Sequence, residues 1–172
     1  MRRARQYLRK LGERGVTSIE FAIVGSVFLM LLLAIFEIGY MVFVQSVLDS
    51  SARTAARLIR TGQATGGSAQ TTFQTALCAD VSSVIGCGSL IYQVQLFPDW
   101  SAAQTAVNAP PARDNKGNLI KVFAAGTCKS IIAVQVMYDY QFFTLWIGQQ
   151  LGDSMQSALL TSTVVFQNEP FC

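Results

Sequence analysis

The stretch RGVTSIEFAIVGSVFLMLLLAIFEIGYMVFV, residues 14–44, sets a glycine and then a carboxylate ahead of a long apolar run. Glu20 stands directly before Phe21, and no residue from Phe21 to Phe36 is charged. Taken as a helix, Phe21–Val44 covers about 36 Å, enough for a hydrocarbon core of about 30 Å with some tilt. Glu37 is the one charge inside it. A cleaved secretory signal is the competing reading, but its apolar core should be only about 7–15 residues and end at a small-x-small site. Here the first small cluster, Ser50-Ser51-Ala52, lies past a polar stretch. The expectation is a single membrane span.

The charges orient that span. Arg2, Arg3, Arg5, Arg9, Lys10 and Arg14 stand against Glu13 alone, so residues 1–15 carry about +5 of a chain total of +3, and the remainder is near −2. A basic arm of this kind can bind nucleic acid, but the body behind it is acidic and a membrane span follows, so no nucleic-acid partner is expected. Six basic residues before the span, against Arg53, Arg57 and Arg60 just after it, put the N-terminus in the cytoplasm by the positive-inside rule.

Beyond the span the helix continues with a single apolar face. Val44, Val47, Leu48, Ser51, Ala55, Leu58 and Ile59 fall on one stripe, while Asp49, Arg53 and Arg57 recur every fourth residue on another. Thr61-Gly62 and the flexible GQATGGS that starts with that glycine stop it, and no Gly-Lys-Ser/Thr follows to make a phosphate loop. The helix is therefore expected from about Thr17 to Ile59 or Arg60. Ser68 to Cys78 suits a short helix. Leu90–Phe97, Ile131–Phe142 and, more weakly, Leu160–Gln167 alternate with a period of two, which predicts strands of a sheet with one buried face. The apolar stripe of the long helix would cover that face. Pro98 to Gly117 reads as a long exposed connection, and Trp100, Trp146, Tyr138 and Tyr140 read as core or interface aromatics. The fold class is α+β: a long N-terminal membrane-spanning helix packed by its outer half on a small antiparallel sheet. The parts are a basic leader 1–15, a helix 16–61 and a domain 62–172.

All four cysteines, Cys78, Cys87, Cys128 and Cys172, follow the span, on the oxidising side if the N-terminus is cytoplasmic. Two disulfides are expected from three possible pairings. If the strand from Ile131 runs antiparallel to the one ending near Gln167, Cys128 and Cys172 meet at one end. That favours Cys128–Cys172, with Cys78–Cys87 as a local loop; buried free thiols are the alternative. The chain has no histidine and no Cys-x-x-Cys, so no zinc site, other metal or cofactor is expected. Without histidine most catalytic constellations cannot form. Asp80, Asp99, Asp114, Asp139 and Asp153 are scattered one per segment and read as solvated or turn carboxylates. No catalytic residue is assigned.

A basic leader, a glycine, a carboxylate five residues later and an apolar helix together resemble the substrate signature of prepilin peptidases. More specifically, Gly15-Val16-Thr17-Ser18-Ile19-Glu20-Phe21, with Glu37-Ile38-Gly39 and Ala52-Arg53-Thr54-Ala55-Ala56-Arg57, resembles the TadE-like family, minor pseudopilins of tight-adherence (Tad, Flp) pilus systems. The resemblance covers about Arg14 to Gln63; Asn168-Glu169-Pro170 near the C-terminus is also similar to the family. It implies a pilin-like fold, cleavage between Gly15 and Val16 by an inner-membrane prepilin peptidase, and a role in pilus assembly and cell adhesion without enzymatic activity. The implied partners are that peptidase, other pilins and inner-membrane assembly proteins. The implied location is the bacterial inner membrane, single-pass, with the C-terminal domain periplasmic. Glu20 and Phe21 would serve assembly, and Glu37 would be a second intramembrane partner site. Major Tad pilins usually carry Tyr after the Glu, and Phe21 here argues for a minor subunit.

Physical chemistry accommodates that implication. A lone carboxylate or ammonium costs on the order of 2.5–3.5 kcal/mol at mid-bilayer and less near its edge. Pairing Glu20 with a new Val16 ammonium at about 4 Å would return a few kcal/mol at an effective dielectric of about 20. Ser18, Ala22 and Ser26, four apart, would let another helix approach. Taken alone, Glu20 also fits an interfacial carboxylate favoured by the helix dipole. Two alternatives stay open: an uncleaved signal-anchored envelope protein whose outer domain binds a ligand, and a membrane-tethered enzyme using carboxylates.

Overall fold

A computed structural model of the protein describes residues 17–153 and 156–170 in full, and residues 2–16 by the course of the helix alone. The elements in chain order are α1 (Arg2–Arg60), α2 (Ala69–Val81), β1 (Leu90–Phe97), α3 (Trp100–Asn108), β2 (Val122–Phe123), β3 (Ile131–Gln141), α4 (Leu145–Leu151) and β4 (Ser157–Gln167). This is an α+β fold: one long apolar helix and a four-stranded, mostly antiparallel sheet in the order β2-β1-β3-β4. The chain divides into two units, residues 1–39 and 40–172. The first is helix alone; the second takes the rest of α1 together with everything that follows.

Helix α1 starts at Arg2, upstream of the Thr17 expected from the pattern. Its other end falls where Thr61-Gly62 predicts. Gly62 adopts φ 73°, a left-handed conformation that suits glycine. The Gly62 N–H donates to Ile59 O at 3.1 Å and the Gln63 N–H to Leu58 O at 2.9 Å, the paired bonds of a Schellman cap.

Within the second unit α1 buries most of the stripe read from the sequence, with Ala52 and Ala56 added: Val44, Leu48, Ser51, Ala55 and Ile59 are buried, while Val47 and Leu58 are half-buried at its margins. Arg53 and Arg57 are exposed, and the Asp49 carboxylate accepts from Gln45 at 3.2 Å. Gln45 also donates to Thr161 O in β4 at 3.2 Å, and fifteen residues further along the Arg60 carbonyl accepts from the Glu169 N–H just past β4 at 2.9 Å. Helix and strand therefore run the same way. At its start the helix sets Tyr40 against Tyr140 of β3, with ring centroids 6.2 Å apart.

The strands form where alternation predicts, and their pairing decides which residues share a face. β1 and β3 are antiparallel with Tyr92 opposite Val136 and Val94 opposite Val134; β3 and β4 are antiparallel with Val136 opposite Ser162. Tyr92, Val94, Val134, Val136 and Tyr140 thus line one face, toward α1 and α2; Phe73 of α2 meets Tyr92 edge-on at 5.4 Å.

The other face departs from expectation. Gln93 and Gln135, the polar half of the alternation, are buried as well. What covers them is the segment read as an exposed connection. Asp99 caps α3 by accepting from the Ala102 N–H at 2.7 Å, and the alanine-rich helix that follows packs on β1 and β3. Beyond it Gln93 donates to Ala112 O (2.8 Å) and Ile120 O (3.0 Å) and accepts from the Ala112 N–H (3.0 Å). A side-chain amide so engaged can sit in a core with its hydrogen bonds made. At the loop tip the Asn118 side chain and backbone hold Asp114 below the usual carboxylate range. The two-residue β2 pairs parallel to β1, so the sheet is not wholly antiparallel.

Leu48→Ala is expected to lower the unfolding free energy by about 2–5 kcal/mol, the range for deleting a buried leucine side chain. Arg53→Ala, one turn on and exposed, should stay within about 0.5 kcal/mol of the parent. Denaturant unfolding of the detergent-solubilised protein checks both, and equal small effects would mean the α1 stripe is not core.

Candidate functional site

The residues singled out around the apolar run lie on α1. Among the described residues α1 is the one helix long and apolar enough to cross a membrane. Phe21 is 78% exposed, and Ile23, Val24, Val27, Phe28, Leu29 and Leu31 are exposed with it. With the exposed Met30 and Leu33 their positions run around the whole circumference of the helix, so this surface is apolar all round. A surface of that kind suits lipid, where the helical backbone satisfies its own hydrogen bonds and the side chains need none.

Two carboxylates mark the segment and differ in setting. Glu20, next to Phe21 at the start of the run, is exposed. Glu37, 17 residues or about 25 Å further along, is 5% exposed, the one buried carboxylate among the described residues. Ser18, Ala22 and Ser26 are exposed, and the Ser26 hydroxyl donates back to Ile23 O at 2.9 Å. Gly15 and Val16 belong to the part of α1 described by its course alone, so the cleavage expectation falls outside the described side chains.

Cys78 and Cys87 form a disulfide with their Cα atoms 5.5 Å apart. It ties the last turn of α2 to the short 3-10 turn that leads into β1. Cys128 is also disulfide-bonded, while Cys172, its expected partner, lies outside the described residues. The premise of that expectation holds: β3 and β4 are antiparallel with Ile131 opposite Gln167. Backbone bonds carry the pairing outward, from the Asn168 N–H to Ser130 O (2.9 Å) and from the Lys129 N–H to Asn168 O (3.2 Å).

Asn168 and Glu169 act as a clasp. The buried Asn168 amide donates to Ala125 O (3.0 Å) and Thr127 O (2.9 Å), drawing the segment before β3 onto the end of β4. The Glu169 N–H supplies a donor to the last carbonyl of α1, one of the groups a helix end leaves open. Its carboxylate lies 3.6 Å from the Arg60 guanidinium, a half-exposed pair worth about 0–1 kcal/mol.

Trp100 and Trp146, expected in a core or interface, are exposed, whereas Tyr140 is buried. Burial, then the neighbouring Tyr40 and Asp139, raises the Tyr138 phenol above its ordinary value. An open groove between β1, β3 and α3 is lined by Gln95, Phe97, Val107, Pro110, Pro111 and Gln135, and no titratable side chain reaches it. Sequence reasoning overlooked α3 and α4, although Asp99 before an alanine-rich run is a helix-start signal.

Residues 15–57 match the TadE-like protein family. The match takes in Gly15, Glu20, Phe21, Glu37 and the arginines Arg53 and Arg57, the same residues that carry the resemblance in the sequence. No match was found among the curated proteins, nor among the solved structures.

Cys78→Ser is expected to cost about 2–4 kcal/mol of stability, as removal of a disulfide from a small domain does. Non-reducing peptide mapping should recover the Cys78–Cys87 pair. Free alkylation of both thiols in the folded, oxidised protein would contradict it.

Proposed function

We propose that the protein is a minor pseudopilin that takes part in assembling or initiating a Tad/Flp-type pilus, and so serves cell adhesion without catalysing a reaction. The TadE-like match indicates a pilus-related protein, and α1 supplies one membrane-type helix. The observation that carries the finer reading is the order Gly15, Glu20, Phe21 at the head of a helix apolar on every side. A glycine gives a peptidase cleft a small, flexible backbone to engage. Cleavage after it by an inner-membrane prepilin peptidase would leave Val16 with a free ammonium four residues from an exposed carboxylate.

Such a pair acts either within the chain or between chains. Near the bilayer edge each charge alone is costly, and together they offset one another. Between chains the Val16 ammonium of one subunit would meet Glu20 of the next and fix the axial register of neighbouring helices. The exposed Ser18, Ala22 and Ser26 would allow the close helix approach this requires. Leader charges would keep residues 1–15 in the cytoplasm and deliver residues 62–172 to the periplasm, where the cysteines oxidise. The partners are then the peptidase, other pilins and the inner-membrane assembly proteins.

Glu20→Gln separates processing from assembly. The variant should be cut and membrane-embedded at parental levels, yet crosslink poorly to other pilins and support few pili. Glu37→Gln is the comparison, since it also removes a carboxylate from the helix but at a distant, buried position. Crosslinking yield and pilus number at matched protein levels read the result. Parental piliation in Glu20→Gln cells would reduce Glu20 to an interfacial carboxylate and leave Gly15 alone to carry the resemblance.

A further inference from the structure

The second unit exposes an apolar, aromatic surface that its own core does not use. After β3 the chain reads Phe142-Phe143-Thr144-Leu145-Trp146-Ile147-Gly148-Gln149-Gln150-Leu151, with no charge between Asp139 and Asp153. Phe142 turns inward and meets Tyr140 edge-on at 5.3 Å. Phe143 turns outward and is 78% exposed. In α4, Ile147 and Gly148 are buried while Leu145, Trp146 (53% exposed) and Leu151 face out. This is a short amphipathic element presenting its larger apolar side chains away from the protein.

Its position within the unit says what would cover it. Phe143 lies 6.0 Å from Tyr40, and Tyr40 lies 6.5 Å from Phe43, ring centroid to ring centroid. Tyr40, Val42 and Phe43 are themselves exposed on the first turn of α1 that belongs to this unit. Twenty residues of helix from Phe21 to Tyr40 rise about 30 Å, the thickness of a hydrocarbon core. Tyr40 therefore falls where a spanning helix would leave the acyl chains. Trp and Tyr concentrate at that level because their rings have an apolar body and a polar edge. The absence of charge over residues 140–152 removes the side chains that would be costly to carry into such a layer.

We propose that Tyr40, Phe43, Phe143, Leu145 and Trp146 form an interfacial anchor that seats the outer domain in the headgroup layer of the bilayer. It rests on the reading of α1 as a membrane span. A span alone leaves its domain free to rotate and tilt about the helix exit. A second, aromatic foothold beside that exit fixes which side of the domain faces the membrane.

The test uses the full chain with Trp100→Phe, so that Trp146 is the sole tryptophan, in phosphatidylethanolamine–phosphatidylglycerol vesicles carrying dibrominated phosphatidylcholine. Trp146 emission should shift to the blue in vesicles relative to mild detergent. It should be quenched by bromines placed high on the acyl chains more than by bromines placed deep. The reciprocal Trp146→Phe chain, whose only tryptophan is Trp100, should be insensitive to either lipid. A third chain, lacking both native tryptophans and carrying Leu29→Trp, reports on the span itself and should respond most to deep bromines. Quenching in that chain with none at Trp146 would overturn the anchor and leave the span intact. No quenching in that chain would overturn both. A blue shift at Trp146 that vanishes on diluting the protein in lipid would overturn the anchor in favour of a contact between copies of the chain.

Discussion

Leu48, Ser51, Ala52, Ala55 and Ile59 are buried in a row along the second half of α1, and the architecture of the second unit depends on that row. Three long strands have a face of Tyr92, Val94, Val134, Val136 and Tyr140 to remove from water, and an apolar sheet face must be buried against another element. Each such side chain contributes about 1.5–3 kcal/mol when fully buried. The serine and alanines of the row are small, which lets the helix backbone come close; the leucine and isoleucine fill the space at either side. The helix whose first part is apolar enough to cross a membrane is thus also one wall of the core of the second unit.

That double use explains the fastenings at the far end of α1. A Schellman cap at Gly62, the Glu169 N–H on the last helical carbonyl, and the Asn168 amide across Ala125 and Thr127 all act within a few residues of one another. They close the helix end, the end of β4 and the segment before β3 into one corner. The Cys78–Cys87 bridge fastens the other route out of the helix, between α2 and β1.

Much of the fold was legible because two simple periods run through the chain. β1 has the limits its alternation predicts, β3 falls one residue short of Phe142, and α1 stops at Thr61-Gly62 as its stop signal requires. The second covered face was not legible. Gln93 and Gln135 alternate as a solvated side would, and only the carbonyls of Ala112, Ile120 and Val107 turn them into core residues. Those partners lie 19 to 28 residues away in sequence, beyond any local pattern. Prolines at 98, 110 and 111 pointed to a loop and masked the helix capped by Asp99 between them. Of the candidate site, the place of Glu20 and Phe21 at the head of the apolar run is read directly from the sequence, while the exposure of each side chain along that run is not. The exposure of Trp146 in α4 was not legible for a related reason: a tryptophan in sequence reads as core or interface until its neighbours are known.

The proposal as a whole turns on whether the chain is matured at its glycine. The measurement that tests this most directly is the intact mass, with N-terminal sequence, of the protein isolated from its own cell. Cells with and without the prepilin peptidase should be compared. The account predicts a chain that begins at Val16 in the first and a full-length chain in the second. A full-length chain in both would contradict it.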